Sequence, residues 1–293
     1  MGTEHLSAAG PDPEVLQGIH RATLKALAEL HRVCEELGIR YAVYGGTAIG
    51  AVRHGGFIPW DDDADVCVPR ADYEKLLTQG PDLLAPGFRL LEARHTPGYP
   101  QTFAVLGLEG TEFISQAARK RAFRMPIGVD VFPLDVLPDR PGAYRRQVLA
   151  TWMWGRLLFL RGTPSPGVNL PTPLRQGVSA ATHTVHWLLR AARMSPRVLQ
   201  GRWERAARRH EHAPTGVLGD YSTRDPRRWS VREDELFPAE LVPFEDIFVR
   251  LPRQADQVLR RGYGDYLQLP PESERVGHQP YHIDFGSHGP QEV

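Results

Sequence analysis

The chain has 293 residues, 41% of them hydrophobic and 24% charged, with 35 basic residues against 35 acidic ones; this reads as globular, with apolar material for one large domain or a domain with an appended lobe. Its two cysteines, Cys34 and Cys67, lie in apolar stretches and read as small core residues, which excludes a disulfide framework and favours a reducing compartment. No window approaches the ~20 apolar residues that span a bilayer, and MGTEHLSAAGPDPE lacks a basic segment followed by an apolar one, so a cytoplasmic protein is expected.

Leu16, Ile19, Thr23, Leu24, Leu27, Leu30, Cys34 and Leu37 recur at helical spacing, and Gly38 follows as a stop signal. Residues 13–37 are therefore predicted as an amphipathic helix. A β-prone run from Ile39 to Tyr44 ends at Gly45-Gly46, and Thr47 stands where the N-cap of a short helix over 48–53 is expected. Asp61 to Val68 alternates as a strand, and Arg70 to Gln79 reads as a helix closed by Gly80-Pro81. Further strands are predicted at Phe88–Glu92, Thr102–Leu108 and Val129–Pro133, which makes the first lobe α+β.

Beyond Pro138 the character changes. Arginine-rich helical stretches around 142–161 and 182–211 flank the irregular segment GTPSPGVNLPTP. From Tyr144 to His212 twelve arginines face only Glu204 and Glu211, so this region is expected to meet something anionic, either a membrane surface or a polyanionic acceptor. Trp152, Trp154, Leu157, Leu158, Phe159 and Leu160 beside Arg156 and Arg161 suit a helix lying in a lipid interface. The tail carries a strand over 246–251, a helix over 252–261 and an irregular end. The expected division is 1–138 as a catalytic core, 139–236 as an arginine-rich helical region, and 237–293 packing back on the core.

The stretch YAVYGGTAIGAVRHGGFIPWDDDADVCVPR concentrates the chemistry. In an extended strand Asp61, Asp63 and Asp65 project to one side while Asp62 and Ala64 project to the other. Carboxylates so close raise one another's pKa unless a divalent cation sits among them, and oxygen-only ligation suits Mg²⁺ or Mn²⁺. The alternative is an acidic solvated loop, against which Trp60 and Val66-Cys67-Val68 argue for a partly buried strand. Gly45-Gly46-Thr47 lies between strand and helix, where backbone N–H groups can approach a phosphate. Asp130 sits inside the apolar run GVDVFPLDVLP, where a charge is expensive unless paired or metal-bound, which makes it the candidate third ligand; Asp135 is expected to cap a turn.

The blocks GGTAIGAVRHGGFIPWDDDADV, VDVFPLDVLP and FEDIFVRLPRQADQVLRRGYGDYLQLPPESER together resemble the LicD family, which is similar to the fukutin-related proteins and belongs to the nucleotidyltransferase-fold superfamily. The resemblance implies a nucleotidyltransferase-like mixed β-sheet flanked by helices. It implies transfer of a phospho-alcohol, such as phosphocholine, from a CDP-activated donor to a hydroxyl of a cell-surface glycan or glycolipid. In that pattern Asp63 and Asp65 match the metal-binding pair, Asp61 an accessory ligand and Asp130 the third carboxylate. The donor phosphates are then expected against Gly45, Gly46 and Thr47, with Arg53 neutralising charge on the leaving nucleotide. Asp65 or Asp130 is expected to take the acceptor proton. Two rival readings share these residues: a nucleotidyltransferase that passes the NMP group itself, and a non-catalytic binding protein with the same fold. No nucleic-acid module accompanies the arginines. The arginine-rich region reads either as a solvated helix surface or as a contact with the acceptor or with the inner face of an anionic membrane.

Overall fold

The computed structural model describes residues 12–166, 171–275, 277 and 280–289. The Asp12 side chain accepts the Glu14 N–H at 2.9 Å and Pro13 opens α1 (Pro13–Leu37), which ends on Gly38 at φ 60°. This is the expected helix at both boundaries. Its buried stripe, including Leu27, Leu30 and Val33, forms the main core with Val66 and Val68 of β2 (Asp65–Pro69) and Val129 and Val131 of β6 (Gly128–Val136).

The fold is α+β, built on a seven-stranded mixed sheet. Its path runs from β1 (Ala42–Val43) through β2, β6 and β4 (Ala104–Leu108) to β3 (Phe88–Leu91), and β6 also pairs with β7 (Val217–Asp220), which pairs with β8 (Val231–Arg232). Only β2 and β6 run parallel among these pairs. β5 (Glu112–Ser115) pairs separately with β11 (Pro280–Asp284), and β9 (Glu240–Phe244) with β10 (Ile247–Leu251).

Several expectations are corrected here. The Asp61–Val68 strand begins only at Asp65, because residues 61–64 form an extended turn outside the ladder. The helix after the glycine pair, α2 (Gly45–Arg53), already begins at Gly45 with Tyr44 as its N-cap. Thr47 is therefore not the cap; its Oγ1 accepts the Asp65 N–H at 2.8 Å and ties α2 to β2. Asp135 caps no turn: it lies within β6, where Arg70, at the start of α3 (Arg70–Gln79), donates to both its carboxylate oxygens at 2.9 and 2.6 Å. Both partners are buried, so each removes the cost of the other's isolation.

The arginine-rich stretch forms α4 (Pro141–Gly162), α5 (Thr172–Ala191) and α6 (Pro196–Ala207). The helix expected over 182–211 is thus two, parted at Arg193, whose φ of 54° breaks the helical path. Leu158, Leu189 and Leu199 of these helices pack with Leu91 and Val105 of the sheet. Arg94 fixes α6 through Glu204 at 2.9 Å while also pairing with Glu74 at 2.8 Å. β7 and β8 follow α6 and extend the main sheet from a stretch expected to be helical. After the short α7 (Glu233–Leu236), α8 (Ala255–Tyr263) carries the tail back beside α2.

Candidate active site

The site forms where α2, the 61–64 turn, β2 and β6 meet. Asp65 and Asp130 are direct register partners on the parallel pair β2·β6, so their side chains emerge side by side on one face. The Asp130 N–H donates to Ala64 O at 2.8 Å, and the Tyr44 N–H to Asp65 O at 2.9 Å. These bonds fix the two strand ends and the start of α2 as one unit.

The glycine pair is needed for close approach. Gly45 has φ 54°, and a Cβ there would lie 3.1 Å from Asp65 Oδ2 and 3.4 Å from the Tyr263 hydroxyl. A Cβ on Gly46 would collide with Asp61 Oδ2. The first turn of α2, whose leading N–H groups have no intrahelical acceptor, therefore stands directly against two of the carboxylates. His20 of α1 donates to Asp61 O at 2.7 Å and stacks on Phe57 at 4.3 Å, bracing the acidic turn from behind.

Burial along this stretch alternates as expected: Asp62 and Ala64 are buried, whereas Asp61, Asp63 and Asp65 are partly open. The carboxylates group differently from the expected comb. Asp61, Asp62 and Asp63 offer ligand oxygens within 4.8 Å of one another, a triple that includes Asp62 and leaves out Asp65 and Asp130. The turn causes this, because the chain has not yet entered strand geometry. Burial, then the charges of Asp63, Asp130 and Asp61, push the Asp65 carboxyl well above the usual carboxylate range. Asp65 thus feels the acidic turn and Asp130 together. The triple and the register pair Asp65–Asp130 offer carboxylate oxygens, the donor type that fits a hard divalent cation.

Asp63 and Asp130 also line a cavity of about 220 Å³, whose walls include Thr23, Gln101, Ser115 and Arg121. Tyr263 at the end of α8 reaches Gly45, and burial together with Asp65, Asp61 and Asp63 pushes its phenol up. Sequence reasoning missed Arg121, Thr23, His20 and Tyr263; each joins the site from far along the chain, with no local pattern to mark it. Arg53 stands at the other end of α2, about 12 Å along the axis from Gly45, where it donates to Tyr266 O at 2.8 Å and lies 5.8 Å from the centre of the Trp60 ring. Arg275 covers the same ring at 5.2 Å.

The site thus sets a glycine turn at a helix start against carboxylates on adjacent parallel strands. Residues 38–94 match the family model described as LicD/FKTN/FKRP, nucleotidyltransferase domain, so the LicD resemblance is shown over the segment that carries the glycine pair and Asp61, Asp62, Asp63 and Asp65. It ends before β6 and Asp130. Among curated proteins the chain is similar to the lipopolysaccharide cholinephosphotransferase LicD of Haemophilus influenzae, with 50% identity over 54 residues, covering 18% of this chain and 20% of that protein. It is also similar to the human ribitol 5-phosphate transferase FKRP, with 49% identity over 47 residues, 15% of this chain and 10% of the relative. A third relative, the uncharacterized protein RT0683 of Rickettsia typhi, is 34% identical over 67 residues, 22% of this chain and 21% of its own length. The matches span about a fifth or less of these relatives.

Proposed function

We propose that the protein is a LicD-like phosphotransferase that moves a phospho-alcohol, phosphocholine or a similar group, from a CDP-activated donor to a hydroxyl of a glycan or glycolipid. The observation that carries this reading is the register of Asp65 with Asp130 opposite the Gly45-Gly46 turn. The similarity to a cholinephosphotransferase and a ribitol 5-phosphate transferase supports the reaction type.

In this mechanism the first N–H groups of α2 receive the donor's diphosphate at Gly45, Gly46 and Thr47, where the helix dipole favours negative charge. Asp63, Asp65 and Asp130, with Asp61 beside them, would hold Mg²⁺ or Mn²⁺, which when bound supplies positive charge for the phosphate oxygens. Asp65 or Asp130 takes the proton from the acceptor hydroxyl as its oxygen bonds to the phosphorus next to the alcohol and the bond to CMP breaks. Tyr263 closes the pocket over Gly45. A nucleotide extended along α2 would reach Arg53 at its far end.

The arginine-rich helices are the proposed contact with an anionic membrane. From Arg145 to Trp203 there are nine arginines and no acidic residue, and Leu149, Trp152, Trp187 and Leu188 are exposed on the same helices. No helix among the described residues is long and apolar enough to cross a membrane, so contact at the surface is the form proposed.

Incubation with CDP-choline, Mg²⁺ and candidate glycolipids, read by mass spectrometry, tests the assignment. Release of CMP with a phosphocholine-sized gain on the acceptor is expected, and Asp63→Asn should abolish it while the fold survives. Full activity in that variant would remove the proposal. Pyrophosphate released from CTP, with the nucleotide left on the acceptor, would replace it with NMP transfer.

A further inference from the structure

The cavity beside the carboxylates holds a cation for which the reaction so far gives no use. Arg121 is 7% exposed, and among the described residues no carboxylate lies within ion-pair distance of it. Its Nε donates to Thr163 Oγ1 at 3.0 Å, and its guanidinium lies 5.2 Å from the centre of the Phe159 ring, both near the C-terminal end of α4. That end carries only about half a negative charge from the helix dipole, less than the full charge brought out of water. Burial pushes the Arg121 guanidinium down to about 10, the direction expected for a cation short of a counter-charge.

A polar group in the same cavity makes no hydrogen bond among the described residues. Thr23 is 1% exposed, and among the described residues its Oγ1 makes no hydrogen bond. Gln101 and Ser115 add further polar lining. At about 220 Å³ the space lies below the ~300–1,000 Å³ that houses drug-sized ligands and suits one sugar or polyol unit. One end is bounded by Asp63 and Asp130, where the acceptor hydroxyl must lose its proton.

We infer that this cavity is the acceptor subsite, and that Arg121 there binds a phosphate or carboxylate group carried by the acceptor sugar while its reacting hydroxyl points toward Asp130. The acceptor is thus an already anionic glycan unit, and Arg121 is a specificity-determining residue. This rests on the transferase reading above, since it takes the opposite side of the carboxylates for the donor.

The test uses the full chain with inorganic phosphate as the probe, titrated calorimetrically in EDTA so that no metal at the aspartates recruits the anion. Wild type is expected to bind phosphate, and Arg121→Gln to bind it at least tenfold more weakly. CDP-choline affinity in Mg²⁺ is expected to be the same in both proteins, and phosphate is expected not to compete with it. Failure of wild type to bind, unchanged binding in the variant, or competition with CDP-choline would overturn the subsite. A thermal melt separates out a structural role: removing a buried unpaired charge should leave the melting temperature unchanged or raised, and collapse of the variant's fold would assign Arg121 to structure instead. If wild type shows Arg121-dependent phosphate binding but no CDP-choline binding, the donor reading fails while the anion subsite stands.

Discussion

Asp65→Asn removes an ionisable carboxyl that burial and its acidic neighbours already push above the usual range. Neighbouring strands lie about 4.8 Å apart, and Asp65 and Asp130 are register partners on such a pair. Two unit charges about 5 Å apart at an effective dielectric near 20 repel by about 3 kcal/mol. Proton uptake by the raised Asp65 carboxyl relieves part of this in the metal-free protein. Asn, nearly identical in shape, should therefore stabilise the metal-free protein by about 1–3 kcal/mol, which at about 2 °C per kcal/mol is a rise of about 2–6 °C. Mg²⁺ reverses the comparison: at a hundred times its dissociation constant a cation adds about 2.7 kcal/mol to the wild type, most of which the variant should forgo. Differential scanning calorimetry in EDTA and in saturating MgCl₂ reads both effects. A variant less stable than wild type in EDTA, or one that gains as much from Mg²⁺, would refute the reasoning.

Three other outcomes follow from the same geometry. Gly46→Ala places a methyl against Asp61 Oδ2 and should displace that carboxylate by about an ångström, lowering transfer by about a hundredfold with little change in circular dichroism; a fully active variant would contradict the close approach. Burial pushes Asp220 up to about 6 despite two hydrogen bonds from Ser222, so the folded state holds this proton more tightly than the unfolded one, and its contribution to stability is lost as pH rises from about 4 to 6. Asp220→Asn should therefore gain on wild type by about 2–3 kcal/mol across that window, as read by urea melts at either end; parallel pH profiles would contradict this. The wild type should sediment with anionic liposomes and lose that binding when Arg190, Arg193 and Arg197 become Glu, whereas unchanged sedimentation would place membrane contact elsewhere.

Much of the frame was legible because it is local. α1 follows from apolar periodicity closed by Gly38, α3 is a helical stretch closed by Gly80-Pro81, and their bounds agree with expectation. The short strands were not legible: β5 finds its partner in β11, over 160 residues later, and β7 completes the sheet only against β6. Pro133 suggested a turn before Asp135, yet β6 runs through it, because the chain there is held by β2 on one side and Arg70 anchors Asp135. Asp130 drew attention as a charge inside an apolar run, and β6 sets it in register with Asp65. The grouping of Asp62 with Asp61 and Asp63 was hidden by the assumption that the strand starts four residues early. Arg121 and Thr23 carried no signal, since an arginine in KRAFR and a threonine in a helix become informative only when a shared cavity leaves the one without a carboxylate and the other without a hydrogen bond among the described residues.

The most direct test is a crystal structure with Mn²⁺ and CDP-choline, read by anomalous scattering. The account predicts a manganese peak bonded to Asp63, Asp65 and Asp130, with the diphosphate against Gly45 and Gly46. A peak held by Asp61, Asp62 and Asp63 alone, or none near these aspartates, would contradict it.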